Sequence, residues 1–501
     1  MKTQVLTLSA ITLASAAAAA PKKANKNTVP DKPNVLYIMT DQQSWDMISA
    51  IGGNKYFSTP NMDRLVKSGF TFTNAYCASP LSMPSRWALL TGTAPAQFNA
   101  RRNATYPSAK DKIVNYVREN ALGSLFQKGG YETYYAGKVH VAFSKTDPKG
   151  DMAVYGFDHF LDNNMRDHLS QTGADFFNKK QHKGDKPFLF FVSFIQPHDI
   201  CADTYLINGG PKKEVNSNSK SGMAEDLERF REKMEACDEK MFLKDETSAP
   251  LPANYAQTDN HPMNEVRYIP YSDVEWRKFI WIYHRLVEEA DRQIGIILDA
   301  FYASPYKDNT IVVFTSDHGD MHGSHRMSKK DIQLQECQRI PFIFTGPGIQ
   351  NKMDRTTPVC NAWELIPTFC DMMGVEQPTM ALGMSLWKYM TKGTPLPERK
   401  NLFLEAFNSY EILNEGRYKY VKYELPEKGR STNNEVLFDL EKDPGELHNC
   451  ISDQAYQTKL QELRKALDYE LQRRDIVFGY DPNPKTKGGK KKGGKNNSDD
   501  E

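Results

Sequence analysis

Along the chain, short unbroken apolar runs alternate with amphipathic segments. Asn34-Val35-Leu36-Tyr37-Ile38-Met39-Thr40 joins β-branched, aromatic and aliphatic residues with no polar face, as a strand buried on both sides requires. Three similar runs follow, at Pro187 to Phe194, Thr310 to Thr315 and Pro341 to Thr345. Helical segments separate them. Thr59-Pro60 reads as an N-cap with proline at the first helical position, and Met62, Leu65 and Val66 carry an apolar face as far as Gly69. Ser272 and Glu275 form a capping box, and the helix it opens repeats apolar residues at helical spacing from Trp276, Phe279 and Tyr283 to Ile294, Ile297 and Leu298. Strands alternating with helices predict an α/β fold, a large mostly parallel sheet sandwiched by helices.

Residues 203 to 265 are polar and charged and read as a surface excursion rather than sheet. Near residue 396 the texture changes. Arg417 to Tyr423 and Glu435 to Leu440 alternate like strands, and a helix is expected from about Asp453 to Arg474, giving a smaller C-terminal lobe of antiparallel sheet plus helix. Lys485 to Lys495 is rich in Lys and Gly and precedes the acidic Asp499-Asp500-Glu501, so it is expected to stay disordered. At the other end, Lys2 precedes the apolar run Val5 to Leu13 and the alanine tract that ends at Ala20, the pattern of a secretory signal peptide. It is too short for a spanning helix of about 20 apolar residues, and nothing later qualifies as one. No Cys follows the apolar run, so no lipid anchor is expected there. The expected divisions are a signal peptide at 1–20, a main domain at 33–390, a C-terminal α+β subdomain at 396–480 and a disordered tail at 481–501. The expected location is outside the cytoplasm, periplasmic or secreted.

Composition narrows the class. Hydrophobic residues make up 39% of the 501, which supplies a core and excludes global disorder. Lys+Arg 64 against Asp+Glu 63 leaves a formal charge of +1, which argues against a dedicated nucleic-acid binder, so any cationic site is local. The seven cysteines (77, 201, 237, 337, 360, 370 and 450) form neither a disulfide framework nor a CxxC zinc site. A single bridge, Cys360 to Cys370, stays open, and the odd number leaves at least one thiol free.

The most informative stretch is Ser82-Met83-Pro84-Ser85-Arg86-Trp87-Ala88-Leu89-Leu90-Thr91-Gly92. It reads as a turn entering a helix, with Ser82 as the N-cap and Pro84 restricting the entry. Such an N-terminus suits an anion, and Arg86 one turn later adds a fork of donors matched to a tetrahedral oxyanion. On these residues alone, a plain cap and a sulfate or phosphate site are equally open. The run resembles the sulfatase signature, (Cys or Ser)-x-Pro-x-Arg followed by Thr-Gly, with Asn74-Ala75-Tyr76 and Ser79-Pro80 upstream also matching. The resemblance implies an alkaline-phosphatase-like fold and oxidation of Ser82 to Cα-formylglycine (3-oxoalanine) before export. The serine version implies the bacterial type matured by a radical enzyme, a serine-type sulfatase-maturating partner. Cys77 lacks the proline two residues on and is not the modified position.

Chemistry explains the modification. A plain serine would end as a stable sulfate ester, whereas a hydrated aldehyde attacks with one hydroxyl and is freed when the other loses its proton.

Further stations lie in the order the family requires. Asp41-Gln42 closes the first strand, and Ser316-Asp317-His318-Gly319 follows another, both at the strand ends where open α/β sheets bind ligands. The resemblance makes Asp41, Gln42, Ser82, Asp317 and His318 the metal set, for one divalent cation, most simply Ca²⁺. His318 is a softer donor than the oxygens around it. Gly137-Lys138-Val139-His140 resembles the family's Gly-Lys-x-His, and Pro197-His198 its Pro-His station. Lys330, nine residues before Arg339-Ile340-Pro341 and with Glu336 between, matches its second catalytic lysine. By this resemblance Lys138 and Lys330 hold the sulfate oxygens, and His140 orients the formylglycine hydrate. His198, with Lys330, protonates the leaving oxygen, and His325 and Arg326 face the sugar. Taken singly, each Lys or His is more often a solvated surface residue; their joint order carries the assignment. Leu251-Pro252-Ala253-Asn254-Tyr255 and Leu437 to Glu446 match two more family segments, so the similarity spans about residues 33 to 465.

The function this implies is an exported sulfuric ester hydrolase acting on a sulfated carbohydrate (a glycosaminoglycan, mucin or algal glycan), with no nucleic acid and no membrane span. An arylsulfatase for small phenolic esters ranks below it. Two other readings compete. One is a phosphomonoesterase or phosphodiesterase of the same superfamily, using unmodified Ser82 and zinc. The other is a silent sulfate-binding protein in which Ser82 is never oxidised.

Overall fold

In a computed structural model of the chain, the described residues are 29–474 except 53–54, 104–109, 142–147, 183, 203–206, 208–222, 245–247 and 425–433. The expected signal peptide and the Lys/Gly tail lie outside them.

The apolar run at the start of the chain is β1 (Asn34–Asp41), and it occupies the middle of the main sheet. Its side chains alternate between two cores: Val35, Tyr37 and Met39 enter one, Leu36 and Ile38 the other. Both faces are covered, which is why the run has no polar side. The remaining strands are β2 (Phe70–Phe72), β3 (Ala75–Tyr76), β4 (Glu132–Gly137), β5 (His159–Asp162), β6 (Phe188–Pro197), β7 (Thr310–Ser316), β8 (Phe342–Thr345), β9 (Lys352–Asp354), β10 (Val359–Cys360), β11 (Asn401–Ala406), β12 (Ser409–Asn414), β13 (Tyr418–Tyr423) and β14 (Glu435–Asp439). Eight of them form one sheet in the order β5-β4-β6-β1-β7-β8-β2-β9. β6 and β7 flank β1 in parallel, β4 continues parallel beside β6, and β8 runs antiparallel to β7. The architecture is the mostly parallel, helix-covered sheet that the alternation predicted.

One face carries the helices Ser82–Thr91 and Asn361–Met373; the other carries Pro60–Ser68, Asp167–Asn178 and the long helix Asp273–Ala303. The capping box forms as expected, with Ser272 accepting from the Glu275 amide while the Glu275 carboxylate accepts from the Ser272 amide. The excursion at 203–265 holds no strand among its described residues. It does more than cover surface, however: Phe230, Met234 and Phe242 are buried against the long helix.

The C-terminal lobe is a four-stranded antiparallel sheet, β11-β12-β13-β14, packed by the helix Gln457–Arg473. It is tied to the main sheet by a polar junction. Lys419 on β13 is fully buried and reaches Glu446 Oε1 at 2.6 Å and Gln338 Oε1 at 2.8 Å. Glu446 Oε2 accepts from the Gln335 amide at 2.8 Å. The Asn254 side-chain amide donates to Glu336 Oε1 at 2.7 Å and to the Gly445 carbonyl at 3.2 Å. The two segments singled out beyond the active-site motifs, around Asn254 and Gly445-Glu446, therefore meet each other.

All seven cysteines are free. Cys360 caps the helix Asn361–Met373 and Cys370 lies within it, about 15 Å further along at 1.5 Å per residue, so the bridge left open above does not form. Among the described residues, no helix is long and apolar enough to cross a membrane.

Candidate active site

Four strands end at one level. Asp41 on β1 is level with Pro197 on β6, Thr40 with Ser316 on β7, and Gly137 on β4 with Ser193 on β6. The residues that follow these ends, Gln42, Lys138, His198 and Asp317-His318, thus meet above the C-terminal edge of the sheet, where parallel-sheet proteins bind ligands. Two glycines permit the crowding. Gly137 turns at φ 99°, and a Cβ there would lie 2.1 Å from the Ser193 carbonyl oxygen. A Cβ on Gly319 would lie 2.0 Å from the Glu336 carbonyl oxygen.

Ser82 differs from its expected local role. The helix begins at Ser82 itself, with Leu81 in the cap position and no side-chain cap. The buried Ser82 hydroxyl turns out of the helix and donates to His318 Nε2 at 3.0 Å. His318 Nδ1 donates to the Gly319 carbonyl at 2.8 Å, which leaves the Nε2 lone pair facing Ser82.

Arg86 is also corrected. Its guanidinium is buried and committed to the protein: Nε to Asp317 Oδ2 at 2.9 Å, Nη2 to Asp41 Oδ2 at 2.7 Å, and Nη1 to Ser193 Oγ at 2.8 Å and the Lys138 carbonyl at 3.2 Å. Four of its five N–H groups are spent this way, so it neutralises the two carboxylates rather than offering a fork to an oxyanion. Tyr135 holds the Lys138 carbonyl from the other side.

The donor atoms of Asp41, Asp317 and His318, all buried, lie within 4.8 Å of one another. Asp41 Oδ1 is buried without a hydrogen-bond partner, and a divalent cation would satisfy it. Two carboxylates and an imidazole nitrogen suit such an ion. Burial opposes the charge on Asp41, yet Lys138, His198 and Arg86 hold its carboxyl well below the usual range. Burial and the neighbouring Asp41 push Asp317 up. Gln42 donates its amide to Asp320 Oδ2 at 2.6 Å, and its carbonyl oxygen accepts from Lys330 Nζ at 2.6 Å.

The cations converge on this corner. Lys138 Nζ is 2.8 Å from Asp41 Oδ2, and His198 Nε2 is 4.0 Å from Asp41 Oδ1. His140 follows Lys138 at a left-handed φ of 41°. Burial, with Lys138 beside it, pushes His140 down to about 3. Burial, with Lys330 and Lys138, holds His198 well below the usual imidazole range. Both rings are therefore neutral at neutral pH in the ligand-free site.

His325 and Arg326 lie elsewhere. His325 is completely buried at the lobe junction, donating through Nδ1 to Thr258 Oγ1 at 3.0 Å and accepting at Nε2 from Asn254 at 3.2 Å. With both nitrogens engaged it cannot face a sugar. Arg326 lies over the Tyr255 ring, 4.5 Å from its centroid.

Four contributors escaped the sequence reading. Asp320 sits in the same Asp-His-Gly-Asp run as the metal candidates, and Ser193 is a polar break in the apolar β6; both were visible signals. Cys201, whose thiol donates to Gln42 Oε1 at 3.3 Å, and Tyr135 gave none.

Comparison with known proteins gives a consistent picture. A family model described as Sulfatase matches residues 33–375, and one described as N-sulphoglucosamine sulphohydrolase, C-terminal, matches residues 323–473. The chain is 29% identical over 471 residues to a Delta 4,5-hexuronate-2-O-sulfatase of Bacteroides thetaiotaomicron, covering 87% of this chain and 88% of that protein. A solved 2-O GAG sulfatase superposes with a TM-score of 0.69 at 26% identity, covering 88% and 92% of the two chains. A phosphonate monoester hydrolase of Agrobacterium radiobacter shares the fold, with a TM-score of 0.65 at 20% identity over 88% and 96%.

Proposed function

This chain belongs to the sulfatase family, sulfuric ester hydrolases of alkaline-phosphatase-like fold, and on that premise we propose that it is an exported enzyme removing sulfate from a glycosaminoglycan-type sugar through an oxidised Ser82 and a divalent metal, most simply Ca²⁺. The observation that carries this reading is the placement of the Ser82 hydroxyl at 3.0 Å from His318 Nε2, against the corner where Asp41, Asp317 and His318 gather their donors. Likeness to a hexuronate-2-O-sulfatase and to a 2-O GAG sulfatase supports the substrate class. Residues 1–20 are read as the signal that takes the chain to the periplasm or beyond, after a serine-type maturating enzyme has acted.

Oxidised and hydrated, Ser82 would supply an attacking hydroxyl and a route for releasing sulfate; Asp41, Asp317, His318 and residue 82, with Gln42 adjoining, would hold the metal, which would supply positive charge for the sulfate oxygens. The chain's own residues do the rest. Arg86 offsets the two buried carboxylates so that they can face one cation. Lys138 and Lys330 exchange their present partners, Asp41 and Gln42, for sulfate oxygens. An anionic ester beside His198 opposes the lysines that depress it, so its proton affinity rises only when substrate is bound and its proton becomes available to the leaving oxygen.

A two-zinc phosphoesterase would need a second set of donors about 3.5–4 Å from the first ion. Among the described residues the only other such cluster is His325, Glu336 and Glu446, which shares no member with the first and is threaded by the Asn254 amide.

A panel of sulfated uronate and hexosamine oligosaccharides, assayed with matured protein and with Ser82→Ala, tests the reading. Desulfation by the former and none by the latter is expected. Multiple turnover by Ser82→Ala would remove Ser82 from the mechanism, and activity confined to phosphate esters would remove the sulfatase assignment.

A further inference from the structure

Lys330 leaves the most contorted stretch of the chain. Among the described residues, twelve non-glycine residues have positive φ, and five of them fall in ten positions: His322, His325, Arg326, Lys329 and Asp331. Lys329 and Asp331, at 67° and 68°, flank the lysine on both sides. Outside glycine that conformation costs free energy and persists only where neighbouring contacts impose it. The Met321 amide donates to the Lys329 carbonyl at 2.9 Å, which closes residues 321–329 into a loop and sends Lys330 out of its end. From there Nζ reaches Gln42 Oε1 at 2.6 Å.

Asp331 anchors the far side of that lysine to three distant parts of the chain. Its amide donates to the carbonyl of Pro80, two residues before Ser82, at 2.8 Å. Its Oδ1 accepts from the Phe407 amide, in the turn between β11 and β12, at 3.4 Å, and its Oδ2 accepts from Arg267 Nη2 at 3.3 Å. The same turn is fixed on its other side to the segment beside Ser82. Arg101 Nη2 donates to the Ala406 carbonyl at 2.6 Å, and the Arg102 guanidinium lies 3.5 Å from the centroid of the Phe407 ring. Asn103 Oδ1, next in the chain, accepts from the Met83 amide at 3.2 Å. The turn of the C-terminal lobe therefore stands as a strut between residue 82 and residue 330, with Asn103 near one joint and Asp331 at the other.

A lysine side chain is long and flexible, and its bond to Gln42 is lost once Nζ turns to a sulfate oxygen. What then limits its reach is the position of its own backbone. We infer that Asp331 is a positioning residue for the desulfation reaction: through this strut it fixes the Lys330 backbone at its working distance from residue 82. Both of its carboxylate oxygens are taken by protein donors, so it acts through Lys330 rather than on substrate. Aspartate suits the place twice, since it tolerates the left-handed backbone better than most residues and brings the acceptor. The inference rests on the role proposed above for Lys330.

The test is a double-mutant cycle in kcat/KM on a sulfated sugar, with matured, Ca²⁺-loaded parent, Asp331→Gly, Asp331→Asn, Lys330→Ala and the double variant Lys330→Ala/Asp331→Gly. Glycine keeps the left-handed backbone and removes both side-chain ties; asparagine tolerates the same backbone and keeps an acceptor for the Phe407 amide. A misplacement of about 1 Å costs up to about 10²-fold, so Asp331→Gly should lose at least about tenfold. Asp331→Asn should lose less than about threefold, because the part-exposed pair with Arg267 is worth little. Once Lys330 is alanine, Asp331→Gly should cost less than about twofold more, since residues acting through one another are not additive. The same fold-loss with and without Lys330 marks a merely structural effect and overturns the inference, as does a parent-like Asp331→Gly or an Asp331→Asn as impaired as Asp331→Gly. Full turnover by Lys330→Ala removes the role given to Lys330, and the inference with it, a failure that the cycle tells apart from the others.

Discussion

Replacing Arg86 by glutamine is the perturbation that the site geometry prices most clearly. The guanidinium pairs with Asp317 at 2.9 Å and with Asp41 at 2.7 Å, and Asp41 also has Lys138 at 2.8 Å. Glutamine keeps polarity but not charge, and leaves Asp317 buried beside Asp41 with no strong cation. Removing one partner from such a buried pair costs about 3–5 kcal/mol. Unfolding entropy of about 2.1 cal/mol/K per residue makes 1 kcal/mol correspond to roughly 1 °C for a chain this long, so a Tm lower by about 3–5 °C is expected in EDTA. On the proposed metal site, excess Ca²⁺ would supply positive charge at the same two carboxylates and should narrow the gap between variant and parent. Thermal melts of both proteins in EDTA and in Ca²⁺ check this. A variant that melts with the parent in EDTA, or a gap that Ca²⁺ leaves unchanged, refutes the reasoning that Arg86 balances the charge of the metal corner.

Asp317→Asn should lower bound divalent metal and turnover together, and unaltered metal content by elemental analysis would move the site elsewhere. His284 is buried against Phe57, and burial holds its pKa at about 3; because that lies below the unfolded value of about 6.5, the folded state binds fewer protons and stability falls as pH drops from about 6.5 toward 3. By pH 5 this amounts to about 2 kcal/mol, so His284→Phe should flatten the fall of Tm between pH 7 and 5, and an unchanged slope would contradict it. Asn254→Ala removes the amide that joins His325, Glu336 and Gly445; it should cost about 1–3 kcal/mol of stability without changing metal affinity, and chemical denaturation with metal titration would detect either failure.

The main sheet was legible because its strands are buried on both faces, and β1, β6 and β7 announce that in one residue type after another. β11 and β12 were not. Each carries a buried glutamate, Glu405 and Glu411, which breaks the apolar pattern and is satisfied only by distant groups such as the Ala96 amide and the Gln338 side chain. The active-site candidates were placed by motif order, but their roles depend on contacts that sequence spacing cannot show. Arg86 lies 231 positions from Asp317, and nothing local reveals that its donors are already taken. His325 was misplaced for the same reason: its partners, Asn254 and Thr258, sit about 70 residues upstream, 71 and 67 positions away, in a segment that reads as loop.

The central claim is that residue 82 works as an oxidised serine. Mass spectrometry of the peptide containing it, taken from active protein made in a host with a serine-type maturating enzyme, measures this directly. A peptide lighter than the encoded sequence by two hydrogen atoms, in proportion to specific activity, is the predicted result. Full activity with the peptide entirely at its encoded mass would contradict it.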